Sequence, residues 1–406
     1  MANDLQLNVI NYIKNAYIVI EGKASNDCFY IIRSGKVVVR IEALNETETL
    51  NPGDFFGVIS AMSNHNSIET AQALTDVSLI TVQKDQFPLL IQKNNPVAMK
   101  IILSFSKKLR ELDTHMTEIT LKSVSLSENI ANLYNIGLYY YNQRQYNQAF
   151  YVLYRFLQYC PNDEKVNEAK KMLSEIKSEA KAVYLTSNST DFKRTYPDNT
   201  MIFCEHEPGN ELFILQAGKV KIAKIIENKE VLIAVLKEGD IFGEMALLEN
   251  KPRNASAIAY GETSLMSITK ENFKNIISTQ PQLVTKLISL LAERTWVVYR
   301  QLSNLQINSK VGRTYDMLLV QLEKNKIPII HGKNYSFEFG PNELINMVGL
   351  SSVEGRDVIR EILKNKSFQS FDNKILVKDI EEIKKQVDYY RKMEILEKKR
   401  KESHAI

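Results

Sequence analysis

Between Phe242 and Ala257 the chain reads F-G-E-M-A-L-L-E-N-K-P-R-N-A-S-A, with an acid, Glu244, and a permanently charged base, Arg253, on either side of a short apolar turn. A guanidinium presents a planar fork of donors that fits phosphate oxygens, and one charge-assisted pair of this kind contributes about 1.5–3 kcal/mol. A carboxylate in the same loop accepts from a sugar hydroxyl. Gly243 lets the backbone come close to a ligand, and a helix opening near Glu244 turns free N–H groups toward an anion. The set fits a small anionic ligand bearing both a phosphate and a sugar hydroxyl. Met245 and Ala246 beside the acid, and Asn254, Ala255 and Ser256 beside the base, complete the candidate contacts. A surface ion pair next to a turn at Lys251-Pro252 is the plain alternative; the in-phase match of both ends favours the ligand.

The elements that must hold these residues are a Gly239-Asp240 corner and an apolar strand from Val231 to Leu236. In this setting the spacing resembles the phosphate-binding cassette of the cyclic-nucleotide-binding domain family. The resemblance implies that Glu244 holds a ribose 2′-hydroxyl and that Arg253 holds a cyclic phosphate, with the backbones of Gly243, Ala246 and Ser256 assisting.

The domain is written twice. Gly35-Lys36-Val37 corresponds to Gly218-Lys219-Val220, and Gly53-Asp54-Phe55-Phe56-Gly57 to Gly239-Asp240-Ile241-Phe242-Gly243. Gly35 and Gly53 stand 18 positions apart, Gly218 and Gly239 stand 21 apart, and Phe87 and Pro96 match Phe273 and Pro281. Short β-branched runs between Gly or Asn corners, closed by a helix after each proline, predict β jelly rolls. The chemistry is not repeated. Val58 stands opposite Glu244, Ser67 opposite Arg253, and the nearest charge, Glu69, repels an anion. The first copy is expected to be a degenerate domain that has lost this ligand.

Composition narrows the class. The 406 residues suit two to four domains, and 52 Lys plus Arg against 48 Asp plus Glu give no bulk charge for nucleic acid. Cys28, Cys160 and Cys204 are too scattered for a local metal or iron–sulfur framework and read as reduced thiols of a cytoplasmic protein. No secretory leader follows Met1, and no apolar run reaches a membrane span, so no membrane partner is expected. There is no kinase loop, no metal carboxylate pair and no nucleophile motif, and the five histidines are isolated. An enzyme is not expected, nor any cofactor beyond a cyclic mononucleotide ligand.

Residues 123–182 lack strand signals. Leu133, Ile136, Gly137, Tyr140, Ala149, Leu153, Phe156 and Pro161 fall at the offsets of one tetratricopeptide repeat, and Val166, Ala169, Met172, Leu173 and Ile176 can cap it. The small Gly137 and Ala149 allow two helices to approach closely. A single repeat reads as a rigid spacer or self-association element before a docking site for a protein partner. Past Pro281, Leu283, Leu287, Leu291, Val298, Leu302 and Leu305 draw the seam of a long helix. In cyclic-AMP-receptor-like proteins the matching helix pairs across a two-fold axis and covers the base, which implies a homodimer. The two positions that supply small hydroxyls there fall on Val298 and Tyr299, and Asn254 stands where Ala, Ser or Thr is usual. Adenine specificity therefore does not carry over, and cyclic AMP and cyclic GMP both stay open. Tyr299 or Trp296 could equally stack on a purine or pack in the core.

After a hinge near Val311-Gly312 come a helix (Tyr315 to Leu322), an alternating strand through Tyr335, Phe337 and Phe339, and the run P-N-E-L-I-N-M-V-G-L-S-S-V-E-G-R-D-V-I-R-E-I-L. Gly349 suits the turn between two helices, Ser351 or Ser352 the cap of the second, and Phe371 to Ile375 the tip of a wing. Its placement resembles the winged helix-turn-helix of the Crp/Fnr regulators, whose second helix enters the major groove. The positions of base-reading residues hold Ser352, Val353 and Asp357, and Glu354 to Lys364 carries balanced charge. Arg356 and Arg360 are the expected DNA contacts, with Ser352 and Lys374 on phosphates. An amphipathic tail from Asp379, through Ile380, Ile383, Val387 and Tyr390, ends in the basic run Lys398 to Lys401.

The predicted architecture is α+β and multidomain: a degenerate cyclic-nucleotide-binding-like domain at 1–122, a tetratricopeptide-like spacer at 123–182, a cyclic-nucleotide-binding domain with dimerisation helix at 183–308, a winged helix-turn-helix at 309–379 and a basic tail at 380–406. The expected function is a cytoplasmic Crp/Fnr-type transcription regulator that binds cyclic AMP or cyclic GMP through the second domain. The second reading keeps the sensor, drops the DNA and makes the chain a regulatory or scaffold protein that docks protein partners.

Overall fold

A computed structural model describes residues 7–24, 27–121, 129–181, 192–226 and 229–403. The first repeat opens with β1 (Asn8–Tyr12), β2 (Tyr17–Val19), β3 (Cys28–Ser34), β4 (Val37–Ile41), β5 (Glu46–Leu50) and β6 (Phe55–Phe56). The short helix α1 (Val58–Ser63) leads to β7 (Thr70–Ala73) and β8 (Val77–Gln83), then to α2 (Phe87–Lys93) and α3 (Asn95–Leu121). One sheet has the order β1-β8-β3-β6 and the other β2-β7-β4-β5. Their inward faces, including Tyr30, Ile32, Val37, Val39 and Leu79, form one core, as the period of two in such strands requires.

Three helices follow: α4 (Asn132–Asn142), α5 (Tyr146–Tyr159) and α6 (Val166–Ile176). On α5 the buried residues Ala149, Val152, Leu153 and Phe156 recur at three- and four-residue steps, the stripe of a half-buried helix. A Cβ on Gly137 would lie 2.6 Å from the Leu153 side chain, so α4 and α5 touch where the sequence places its smallest residue.

The second repeat contains β9 (Lys193–Tyr196), β10 (Met201–Phe203), β11 (Glu211–Ile226), β12 (Lys229–Leu236) and β13 (Ile241–Phe242). Then come α7 (Glu244–Glu249), β14 (Ser256–Thr269), α8 (Lys270–Thr279) and α9 (Pro281–Leu305). The strands β11 and β14 are long, pair from Glu211↔Thr269 to Ala223↔Ser256, and carry the rest of a six-stranded sheet. The strand expected at Val231 to Leu236 is β12, but Val231, Leu232, Ile233 and Val235 lie exposed on it rather than in the core.

The C-terminal part consists of α10 (Lys310–Lys324), β15 (Tyr335–Phe337), α11 (Pro341–Val348), α12 (Ser352–Lys364), β16 (Phe368–Phe371), β17 (Lys374–Val377) and α13 (Glu381–Ser403). Its strands form a sheet in the order β15-β17-β16. Gly349 at φ 70° turns the chain from α11 to α12, and Ser351 caps α12 in a box with Glu354. Asp372 and Asn373, both at positive φ, close the β16–β17 hairpin, as a two-residue turn demands. The hinge expected at Val311-Gly312 is instead the first turn of α10. Gly312 donates to the cap Ser309, and a Cβ there would lie 2.8 Å from Tyr390 of α13. Glycine serves close packing at that point. The side chains of the basic run Lys398 to Lys401 lie outside the described residues.

The compact units cut across the boundaries expected from the repeat. One unit comprises Gln83–Glu111 and Ser123–Ala292; the other comprises Leu7–Val82, Leu112–Lys122 and Glu293–Ile406. The helices α3 and α9, of 27 and 25 residues, each contribute residues to both units. Among the described residues no helix is long and apolar enough to cross a membrane.

Candidate functional site

Pairing of β13 with β11 (Phe213↔Phe242) delivers Gly243 at φ 77° as the cap of α7. The chain leaves α7 through Asn250 at φ 57°, bridges Pro252 to Pro208 and enters β14 at Ser256. Arg253 is fixed between these points. Its N–H donates to Glu207 O (2.8 Å) and its carbonyl accepts from His206 N (2.9 Å).

The Arg253 side chain is only 5% exposed. Nη1 donates to Gly243 O (2.6 Å) and Nη2 to Glu211 O (2.9 Å), while the guanidinium lies 4.1 Å from the centre of the Phe203 ring. Gly209 covers the other side, where a Cβ would come within 2.5 Å of Nε. Two of five N–H donors are thus committed to carbonyls. Among the described residues Nε has no hydrogen-bond partner. Glu244 is 1% exposed, and its charge acts on Arg253. Burial draws the Arg253 pKa down from its ordinary value, with Glu207, Glu211 and Glu244 opposing.

Met245 and Ala246 are buried residues of α7, and the Ser256 hydroxyl accepts from Glu205 N (3.0 Å). Asn254 accepts at Oδ1 from the buried Lys224 ammonium (2.9 Å). Ala255 packs on the jelly-roll core. Two further acids lie in the loop before Gly209. Burial pushes Glu205 up to about 7 against the pull of Ile225 N–H and Lys224, and Glu207 up to about 7 against Arg155 and Arg253. The far end of α7 is held from α3: Ser106 Oγ donates to Glu249 Oε1 (2.7 Å) and Arg110 Nε to Oε2 (2.9 Å).

The first repeat reproduces the frame without the charges. Gly57 at φ 81° caps the six-residue α1, and Asn64 at φ 58° ends it, as Gly243 and Asn250 do for α7. In place of a bound anion, the Gly57 N–H donates to the carboxylate of Glu69. Glu69 holds the position matching Ala255. Ser67, opposite Arg253, donates to Glu69 O (2.8 Å).

Val298 and Tyr299 belong to the compact unit of the first jelly roll, where the buried Tyr299 hydroxyl donates to Glu21. Trp296 stacks on His65 with centroids 3.7 Å apart, and His65 Nε2 meets Glu293 Oε1 at 2.9 Å. On α12, Arg356 and Arg360 are exposed, but Arg360 pairs with Asp357 (3.2 Å). Lys374 pairs with Glu338 (2.6 Å). Ser352 opens α12 and its side chain lies outside the described residues.

Sequence reasoning missed Gly209, Glu205, Glu207, Tyr151 and Arg155. A signal was present in the first three: E-H-E-P-G follows the apolar Met201 to Cys204, an unusual place for two acids. Tyr151 and Arg155 sit on an ordinary amphipathic helix and give none.

Residues 9–94 and 193–280 match the family model of the cyclic nucleotide-binding domain. The cyclic AMP receptor protein of Thermus thermophilus is 28% identical over 172 residues, 42% of this chain and 74% of that protein. The CRP-like cAMP-activated global transcriptional regulator of Mycobacterium tuberculosis is 30% identical over 125 residues, 30% of this chain and 56% of that protein. The crystal structure of the Thermus thermophilus catabolite activator protein aligns with 24% identity and a TM-score of 0.28, covering 49% of this chain and 90% of that one.

Proposed function

We propose that the chain is a cyclic-nucleotide-responsive regulator of the Crp/Fnr type, whose second jelly roll takes cyclic AMP or cyclic GMP. The observation that carries this reading is the burial of two opposite charges, Glu244 and Arg253, in one glycine-framed loop. A guanidinium with donors to spare suits a cyclic phosphate, and the adjacent carboxylate suits the ribose 2′-hydroxyl. Met245, Ala246, Asn254, Ala255 and Ser256 line the loop. The first jelly roll is a degenerate copy without nucleotide, and the three helices α4–α6 are a tetratricopeptide-like spacer.

Helices α11 and α12 with the β16–β17 wing are the output module, a winged helix-turn-helix. As a DNA reader it uses Arg356 and Arg360, with Ser352 and Lys374 on phosphates. A second reading, in which the module docks a protein, is favoured by a different observation. Val353 on α12 is 64% exposed and Phe371 at the wing tip 74% exposed, while Arg360 and Lys364 are paired to acids of their own helix. A protein partner would cover these two apolar side chains, which a DNA backbone would not.

Calorimetric titration with cyclic AMP and cyclic GMP tests the sensor. One site per chain is expected, abolished in Arg253→Ala, and the tighter ligand names the base. Two sites per chain, or binding untouched by the substitution, would overturn the assignment.

A further inference from the structure

Helix α5 does more than pack on the second jelly roll. Tyr151 Oη donates to Glu207 Oε1 (3.1 Å) and stands 3.3 Å from Oε2, and Arg155 Nε lies 3.8 Å from Oε2. The Arg155 guanidinium sits 5.1 Å from the centre of the Tyr151 ring, which keeps both groups at the carboxylate. On its other side Glu207 is tied to the phosphate arginine, since its carbonyl accepts the Arg253 N–H (2.8 Å) and its carboxylate feels the Arg253 charge. The groups facing Glu207 are Tyr151, Arg155 and Tyr159 from α5, Arg253 from the cassette and the Cys204 thiol from its own loop. Two residues away, Glu205 faces Lys224 and lies 4.0 Å from His206 Nε2. Apolar contacts suffice to dock a spacer, as Val152, Leu153 and Phe156 already do. A carboxylate, a phenol and a guanidinium buried together add desolvation cost to that contact.

We propose that Glu207 is a positioning residue shared by the spacer and the cassette, through which Tyr151 and Arg155 set how much positive charge Arg253 offers to a bound phosphate. The inference rests on the cyclic-nucleotide reading of this jelly roll. A phosphate at Arg253 places a second anion beside Glu207. Protonation of the Glu207 carboxyl removes that repulsion, so nucleotide binding draws a proton onto it. Tyr151 and Arg155 stabilise the ionised form and hold the proton off. Coupling is reciprocal, so bound nucleotide also loosens the hold of Glu207 on α5. The spacer is then the element that reports the ligand.

The test is calorimetric titration of the full chain with cyclic AMP and cyclic GMP from pH 5.5 to 8.5, for the natural sequence, Glu207→Gln, Tyr151→Phe, Arg155→Met and Glu205→Gln. Affinity of the natural sequence should fall with rising pH, by up to tenfold per unit above the midpoint. Glu207→Gln should flatten this profile. Tyr151→Phe and Arg155→Met, which keep the ring and the stem, should move the midpoint to higher pH at unchanged stoichiometry. Glu205→Gln should leave a profile that Tyr151→Phe still shifts. Binding with one unchanged pH profile in Glu207→Gln, Tyr151→Phe and Arg155→Met would overturn the inference and leave the nucleotide reading standing. Absence of binding in the natural sequence would overturn that reading itself.

Discussion

At the scale of single residues, the two copies differ at the glycine that caps their short helix. Gly57 and Gly243 share a left-handed φ and open helices of the same length, yet the Gly57 N–H already meets the Glu69 carboxylate. On the reading proposed above, a carboxylate tethered at the position of Ala255 takes in the first copy the place that a phosphate would take in the second. Glu69→Ala strips that N–H of its buried partner, a loss of about 1–3 kcal/mol. Its melting temperature should drop by several degrees in chloride and recover in part in inorganic phosphate at equal ionic strength. Equal melting in both salts would show that the Gly57 end of α1 is no anion site. The acids near Arg253 give a second expectation. Glu205 and Glu207 keep their protons up to about pH 7 in the folded chain, while the unfolded chain releases them near 4.5. The native state therefore binds more protons between these values, and stability falls as pH rises from 4.5 to 7 and levels off above. Each raised carboxylate costs at most about 3 kcal/mol at pH 8. Melting of Glu207→Gln should be less dependent on pH across this window than that of the natural chain; equal slopes would place the proton elsewhere.

At the scale of elements, glycines set how closely helices meet. On propensity alone Gly355 weakens α12 by about 1 kcal/mol relative to Ala. In the fold, a Cβ there would lie 2.5 Å from Cγ2 of Ile345, a branched, buried side chain. Overpacking of this kind costs about 1–3 kcal/mol, so the clash outweighs the propensity gain. Gly355→Ala should therefore melt lower by a few degrees, and a higher melting temperature would show that α11 and α12 can part. The same residues show what the sequence displays and what it hides. The candidate site was legible as one loop because Gly243, Glu244 and Arg253 lie within one turn-helix-turn, where spacing in sequence is spacing in space. The spacer helices were legible from their apolar period and from Gly137. Glu207 with Tyr151 was not, because 56 residues separate them and neither belongs to a periodic pattern. Val311-Gly312 misled for a related reason: glycine at a helix start looks like a hinge until the Tyr390 ring that needs the space is known.

At the scale of the whole molecule, the long helices decide how many chains act together. Of the stripe on α9 that the sequence offers as a dimer seam, Leu287, Leu291 and Leu302 are buried within a single chain, while Leu283, Val298 and Leu305 are half-buried. With half of this seam taken up inside one chain, the chain is expected to sediment with the mass of one protomer, with and without nucleotide. This bears on the output module. A dimer reads two half-sites about 34 Å apart and gathers phosphate contacts from both, whereas one chain presents a single α12 and a single wing. Arg356, Arg360 and Lys374 are the cations proposed to meet a backbone, and the last two must first leave Asp357 and Glu338. At about 0.9 per neutralised phosphate, three contacts predict that log K falls against log salt with a slope of about −3. Fluorescence anisotropy on genomic fragments between 50 and 200 mM salt, with nucleotide present, measures this slope. A value twice as steep, with a two-chain mass, would mean that copies pair through a surface other than α9. No retention even at 50 mM salt would leave the exposed Val353 and Phe371 as the working face of the module and make its partner a protein.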